Sequence, residues 1–175
     1  MRNPKIISQT KWYAIYTKPR FEKKVTAILN KANYEVYTPM IQTVRQWSDR
    51  KKKLIVPLIP SYVFVKMEAA KLHNLLQYNG VVGVLKYLKK PAVVQDYEIN
   101  NLKIICKSPD LIENIEGKKF TKSQALQITR GPFAGLYGEF VQHQGKHKVL
   151  LHVASLGLII TVQLPLSYVE SIKVN

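Results

Sequence analysis

Acidic residues are scarce in this sequence, with 11 Asp and Glu against 27 Lys and Arg in 175 residues, and the formal net charge is +16. Cysteine is rarer. A single Cys106 excludes an internal disulfide framework and a cysteine-based zinc site, and its place on an apolar helix face points to packing. No apolar run approaches the ~20 residues of a membrane span, and Met1–Gln9 lacks the apolar core of a secretory leader. A cytoplasmic protein with no membrane partner is expected. Catalytic signatures are also missing. The glycines Gly131, Gly135 and Gly138 are not followed by Lys-Ser or Lys-Thr, so they mark sharp turns instead of a phosphate-binding loop. His143, His147 and His152 have no carboxylate or thiolate beside them at ligand spacing, so no metal is expected. No nucleophile elbow or carboxylate pair appears, and we expect neither an enzyme nor a cofactor.

What is present is a foldable and strongly basic chain. A hydrophobic fraction of 46% is too high for a disordered basic tail, and the length allows one domain or two small ones. The charge is uneven. Residues 1–60 carry 13 basic and 3 acidic side chains, whereas residues 61–110 and 111–175 each carry 7 and 4. A field this one-sided attracts phosphate backbones but says nothing of sequence preference. A polyanion is the expected partner.

The hydrophobic periodicity predicts two domains. WYAIYT (12–17) alternates as a strand, and Pro19 precedes a helix with Phe21, Val25, Ile28, Leu29 and Ala32 inward and Lys23, Lys24 and Lys31 outward. Asn33 ends it, and strand character returns at 34–40. A basic hairpin follows, turning at Trp47-Ser48-Asp49, before a clear strand at 61–67. Residues 69–79 read as a helix through Leu72, Leu75 and Leu76, closed by Asn79-Gly80. Residues 81–94 read as a hairpin turning at Lys89, Lys90 and Pro91. Asp96 reads as the N-cap of a helix whose inner face is Ile99, Leu102, Ile105 and Cys106. The order is that of an α+β domain with an antiparallel sheet, spanning 1–109. A linker is expected at 110–121, and beyond it, at 122–175, come only strands, which points to a small all-β barrel.

Period-2 alternation in SYVFVKM (61–67) sends Tyr62 and Phe64 to one face and Val63, Val65 and Met67 to the other. If helices cover one side only, the aromatic side forms an exposed patch with Tyr16, of the kind protein partners use. A second helix layer or the barrel could equally cover it.

Taken together, WYAIYTKPRFEKKV (12–25), PLIPSYVFVKM (57–67), GVVGVLKYLKKPAVV (80–94) and RGPFAGLYGEF (130–140) resemble the NusG/RfaH transcription elongation factors. The first three blocks are similar to the family's N-terminal (NGN) domain and the last to its KOW motif, an SH3-like barrel. The basic hairpin RQWSDRKKK (45–53) and the short length are most similar to the specialised UpxY-type antiterminators of surface-polysaccharide operons.

The resemblance implies an antitermination factor that binds RNA polymerase as a monomer and suppresses pausing or termination on a particular operon. The patch for the β′ clamp helices would be Tyr16, Tyr62, Phe64 and Ile99, although Ile99 reads as inward-facing. The β gate loop would meet His73, Asn74 and Leu75. Non-template DNA or nascent RNA would be held by Lys18, Arg20, Lys23 and Lys24 beside the first helix, and by Arg45, Arg50, Lys51, Lys52 and Lys53 on the hairpin. Trp47 would stack on an unpaired base or pack against the hairpin stem. Family members carry an aromatic and an Arg around a glycine loop of the KOW domain. Leu156 and Leu158 stand there in this chain, which removes the Arg that favours Rho and keeps an apolar contact for ribosomal protein S10. The β-branched run LIITV (158–162) resists helix, so a constitutive barrel is expected over one that refolds. The competing expectation is a freestanding KOW-containing RNA-binding or ribosome-associated protein.

Overall fold

The computed structural model describes residues 9–47, 50–117, 124–143 and 146–172. Chain proximity divides it into two compact units, Met1–Met40 with Ile55–Ile99, and Ile41–Leu54 with Asn100–Asn175. In chain order the elements are β1 (Lys11–Thr17), α1 (Glu22–Lys31), β2 (Glu35–Tyr37), β3 (Met40–Gln46), β4 (Lys51–Pro57) and β5 (Tyr62–Met67). A 3-10 segment, Ala69–Gln77, leads to β6 (Val81–Val84), β7 (Lys86–Tyr87), β8 (Lys90–Pro91), β9 (Val93–Val94) and α2 (Asp96–Ile105). Then follow β10 (Ile112–Gly117), β11 (Gln124–Ile128), β12 (Tyr137–His143), β13 (Lys146–Val153), β14 (Leu158–Gln163) and β15 (Val169–Ser171).

The first unit is built on an antiparallel sheet in the order β2-β5-β1-β6, with β9 also paired to β1. Alternation along β1 and β5 divides it into two faces. Tyr13, Ile15, Val63, Val65 and Met67 project to one side and form a core with Val25 and Leu29 of α1 and Leu72 and Leu75 of the 3-10 segment. Residues 69–79, expected as an α-helix, are 3-10 over Ala69–Gln77. A three-residue repeat puts Leu72 and Leu75 directly in line toward the core and turns Leu76 outward, 53% exposed. The α-helical spacing would have placed all three inward.

Trp12, Ala14 and Phe64 lie on the other face and are also buried. The start of α2 is tied to that side, because the Trp12 indole N–H donates to Asp96 Oδ1 at 3.0 Å and Lys66 Nζ lies 3.7 Å from the same oxygen. Asp96 was expected as the N-cap. Its carboxylate is engaged by Trp12 and Lys66 instead, and buried Glu98 reaches back to the backbone N–H of Gln95 at 2.9 Å, half of a capping box. The first residue of α2, Asp96, is thus what Trp12 on this face meets.

The hairpin expected at 81–94 is present in shorter form. β7 and β8 pair as Lys86 with Pro91 and Tyr87 with Lys90, so the turn residues are Leu88 and Lys89. Ribbon β3–β4 forms a two-stranded sheet of its own.

In the second unit an antiparallel sheet runs β10-β14-β13-β12-β11-β15. Its interior holds Ile128, Phe133, Leu136, Val149, Leu151, Ile160 and Val162. Of the three glycines expected in turns, two are there, while Gly138 lies inside β12 opposite Leu126, where a β-carbon would meet the Leu150 carbonyl oxygen at 2.7 Å. Gly131 (φ +79°) and Gly135 (φ +90°) take left-handed conformations, and the N–H of Gly135 returns to the carbonyl of Ile128 at 2.8 Å. The segment 110–121, expected as a linker, contributes β10: Ile112–Gly117 pair along β14, with Lys148 and Glu113 joined at 2.6 Å. Glu113 and Glu116 stand at exposed or half-exposed positions of an outer strand, which is why the composition reads as loop, and the rest of the expected linker, 118–121, lies outside the described residues.

Candidate nucleic-acid interface

The strongest charge feature begins at the end of β1. Lys18, Arg20, Lys23, Lys24 and Lys31 are all exposed. The one carboxylate in that run, Glu22, is turned inward and only 4% exposed, accepting a 2.7 Å hydrogen bond from the backbone N–H of Ser61. The fold therefore removes the local counter-charge and leaves an outward surface of one sign. Arg20 sits in the left-handed region at φ +65° and keeps its guanidinium in solvent. Lys24 Nζ stands 5.3 Å from the ring of Phe21, which fixes the near end of the row.

The second basic element is the β3–β4 ribbon. The N–H of Trp47 donates to the carbonyl of Arg50 at 2.8 Å, closing the tip, and the N–H of Leu58 donates to the carbonyl of Pro39 at 2.8 Å, closing the base. Arg50, Lys51, Lys52 and Lys53 are exposed. Ser48, Asp49 and the side chain of Arg45 lie outside the described residues. Trp47 is 55% exposed, with Lys52 Nζ 5.9 Å from its ring. The indole is thus neither buried in the stem nor bare. It offers a π-face already flanked by a cation, as base stacking requires. Exposed Gln42, Val44 and Gln46 extend along β3, a stripe that their period-2 spacing could have revealed.

The aromatic patch is smaller than expected. Phe64 is wholly buried, stacked against Tyr37 at a centroid distance of 6.3 Å. Ile99 is 1% exposed within the buried row of α2 that includes Leu102 and Ile105. Both belong to the interior and are corrected from contact to core residues, because the aromatic face is packed where the sequence left its cover open. Tyr16 and Tyr62 remain half-exposed. They are directly paired across β1 and β5, with rings 4.8 Å apart and the Tyr62 hydroxyl donating to that of Tyr16 at 3.0 Å. Burial, and then the hydrogen bond and charge interaction with Tyr16, push the Tyr62 phenol well above its usual pKa. On one flank the residue opposite Tyr16 is Gly83, beside which a β-carbon would meet nothing within 4 Å. On the other, β2 ends at Tyr37, opposite Phe64, before reaching Tyr62. The pair forms an open aromatic ledge.

The 69–77 segment divides the gate-loop residues. His73 is exposed with Nδ1 2.9 Å from the carbonyl of Ala70, Asn74 is half-buried, and Leu75 is fully buried in the core. Leu75 is therefore corrected to a packing residue, set by the same 3-10 repeat. In the second unit Leu156 and Leu158 are half-buried around Gly157, which takes φ +64°. His152 Nε2 lies 3.3 Å from Glu139 Oε1, and the side chains of His143 and His147 lie outside the described residues. Among the described residues no three His, Cys, Asp or Glu side chains are grouped to hold a metal, and no helix is long and apolar enough to cross a membrane.

Comparison with known proteins gives the family. Residues 10–103 match the family model NusG, described as "Transcription termination factor nusG". The chain is similar to the solved structure "Domain interaction in Thermotoga maritima NusG", at 23% identity and a TM-score of 0.52, over 94% of this chain and 98% of that one. It is also matched to "Crystal Structure of MjSpt4:Spt5 complex conformation B" at 19% identity and a TM-score of 0.32, covering 92% and 96%, too loose a superposition to carry an argument. The chain belongs to the NusG family of transcription factors, whose members act in elongation and antitermination and are not enzymes.

Proposed function

We propose that this chain is a specialised antitermination factor that docks on RNA polymerase through the Tyr16–Tyr62 ledge and lays its basic ribbon along nucleic acid. The observation that carries the reading is the ledge: two half-exposed, mutually hydrogen-bonded tyrosines flanked by Gly83 on one side and by the end of β2 on the other. Rigid aromatic surface with open flanks is what a partner helix can cover at little entropic cost. The β′ clamp helices are the proposed occupant, with His73 and Asn74 facing the β gate loop.

The ribbon and the α1 row then serve as positioning contacts. Phosphates of the non-template strand or nascent RNA would meet Lys18, Arg20, Lys23, Lys24 and Arg50–Lys53, while Trp47 stacks on a base. Holding two sides of the polymerase cleft shifts the enzyme's population toward its active state without chemistry by this protein. The resemblance of the basic hairpin to UpxY-type factors supports service to one operon, such as one for surface polysaccharide. The all-β sheet, which begins with β10 at Ile112, supports a constitutive KOW barrel that takes in the expected 122–175 and this added strand, with Leu156 and Leu158 toward ribosomal protein S10.

The test is binding to a reconstituted elongation complex. Tyr16→Ala with Tyr62→Ala should abolish retention on the polymerase while salt-sensitive oligonucleotide binding persists. Equal loss of both, with an unchanged melting temperature, would overturn the ledge as the polymerase site.

A further inference from the structure

Hairpin β7–β8 is not part of either surface described above, and its chemistry is unusual. Tyr87 and Leu88 are 73% and 79% exposed at its tip, the two most exposed large apolar side chains among the described residues. Lys86, Lys89 and Lys90 surround them and are exposed too. No acidic residue occurs between Asn79 and Gln95, so the tip carries three positive charges with no local counter-charge.

The backbone adds a second argument. Leu88 and Lys89 both take left-handed conformations, φ +48° and +65°, as a two-residue type I′ turn demands. Asn-Gly relieves that geometry, whereas a leucine and a lysine pay for it in strain. Strain held at an exposed tip places the Leu88 and Lys89 side chains outward at a cost that burial does not offset, so their use is sought in what they can touch.

The register specifies the contact. Tyr87 stands directly opposite Lys90, so an aromatic ring and an ammonium share one face of the hairpin, while Lys86 opposes Pro91 on the other. We propose that this tip is a second nucleic-acid site, taking single-stranded nucleic acid by stacking one base on Tyr87 and holding the adjoining phosphate with Lys90, Lys86 and Lys89 adding charge. The charge selects a polyanion over an apolar surface, and the ring selects unpaired bases over duplex, whose π-faces are already stacked. The proposal does not rest on the polymerase reading.

The experiment uses the full chain carrying Lys51→Glu and Lys52→Glu, which weakens the ribbon, and a single-stranded DNA oligonucleotide substituted with 5-bromouracil. Photocrosslinking followed by peptide mass mapping should place an adduct at Tyr87. In the same background Tyr87→Ala should weaken anisotropy-measured affinity roughly five-fold or more, and Tyr87→Phe should restore it. Leu88→Asn with Lys89→Gly should raise the melting temperature while lowering affinity, a divergence that misfolding does not produce. Crosslinks confined to other segments, or equal affinity of Tyr87→Ala and the parent, would overturn the proposal. So would a tip that binds an Asp- and Leu-rich peptide in preference to the oligonucleotide.

Discussion

Tyr62 and Phe64 sit two residues apart on the same face of the same strand, yet one belongs to a surface and the other to the core. Phe64 lies mid-sheet, with Ala14 opposite on β1 leaving room for its ring and Tyr37 stacked beside it from β2. Tyr62 lies one pleat further on, where β2 has ended and its cross-strand neighbour is another tyrosine next to a glycine. Alternation assigns a side chain to a face. Which neighbours stop short decides whether that face is covered.

The widest separation between the two residues should come from stability. Phe64→Ala should cost about 3–5 kcal/mol, a cavity in a closed core, whereas Tyr62→Ala should cost distinctly less; denaturant unfolding measures both. If the two costs are equal, Tyr62 is as much a core residue as Phe64. Next comes Gly83→Val. No neighbour crowds a side chain there and the glycine needs no left-handed backbone, so folding should be nearly unaffected while polymerase retention falls at least ten-fold. Unchanged retention would show that the ledge needs no open flank.

The basic elements give smaller effects. Trp47→Ala should weaken single-strand binding by ~1–3 kcal/mol if its exposed ring stacks on one base, measured by anisotropy at fixed salt. Lys51→Glu with Lys52→Glu should lower the slope of log affinity against log salt by roughly 1.4–1.8, the value for two phosphates. A flat response would detach the ribbon from the phosphate role.

The smallest effect concerns the tyrosine pair itself. The Tyr62 pKa is raised in the folded state, so the folded form holds its proton where the unfolded form has lost it. The pair's contribution is therefore full below about pH 10 and declines as pH rises from there toward the folded pKa. Tyr62→Phe should flatten the alkaline decline in melting temperature. Burial also raises Tyr13 and Tyr34, so a residual slope remains.

Much of this was written in local pattern. The period-2 runs gave β1 and β5, helical spacing gave α1 and α2, and the glycine-rich 131–138 stretch announced its turn. The blocks within residues 12–94 that resemble the NusG family were legible because each encodes a piece of the first unit's sheet and its connections. The site was legible only in part. Spacing could not distinguish a three-residue repeat from an α-helical one at Leu72–Leu76, so Leu75 seemed available when it is packed. Composition hid β10, since an outer strand tolerates the charged residues of a loop. Tyr87 and Leu88 read only as hairpin residues, because neither their exposure nor the left-handed backbone at Leu88 and Lys89 leaves a compositional trace.

The sign and placement of the charge, the alternation that sorts each strand into two faces, and the family are all readable from the chain alone. These are properties of residue type and short spacing, and they survive any arrangement of the rest. Tertiary structure alone decided that Glu22 is withdrawn from the basic surface, that Phe64, Leu75 and Ile99 are interior, and that two tyrosines form the remaining ledge. Those outcomes depend on which distant segment ends beside which, and burial is a property of neighbours that no single stretch of chain contains.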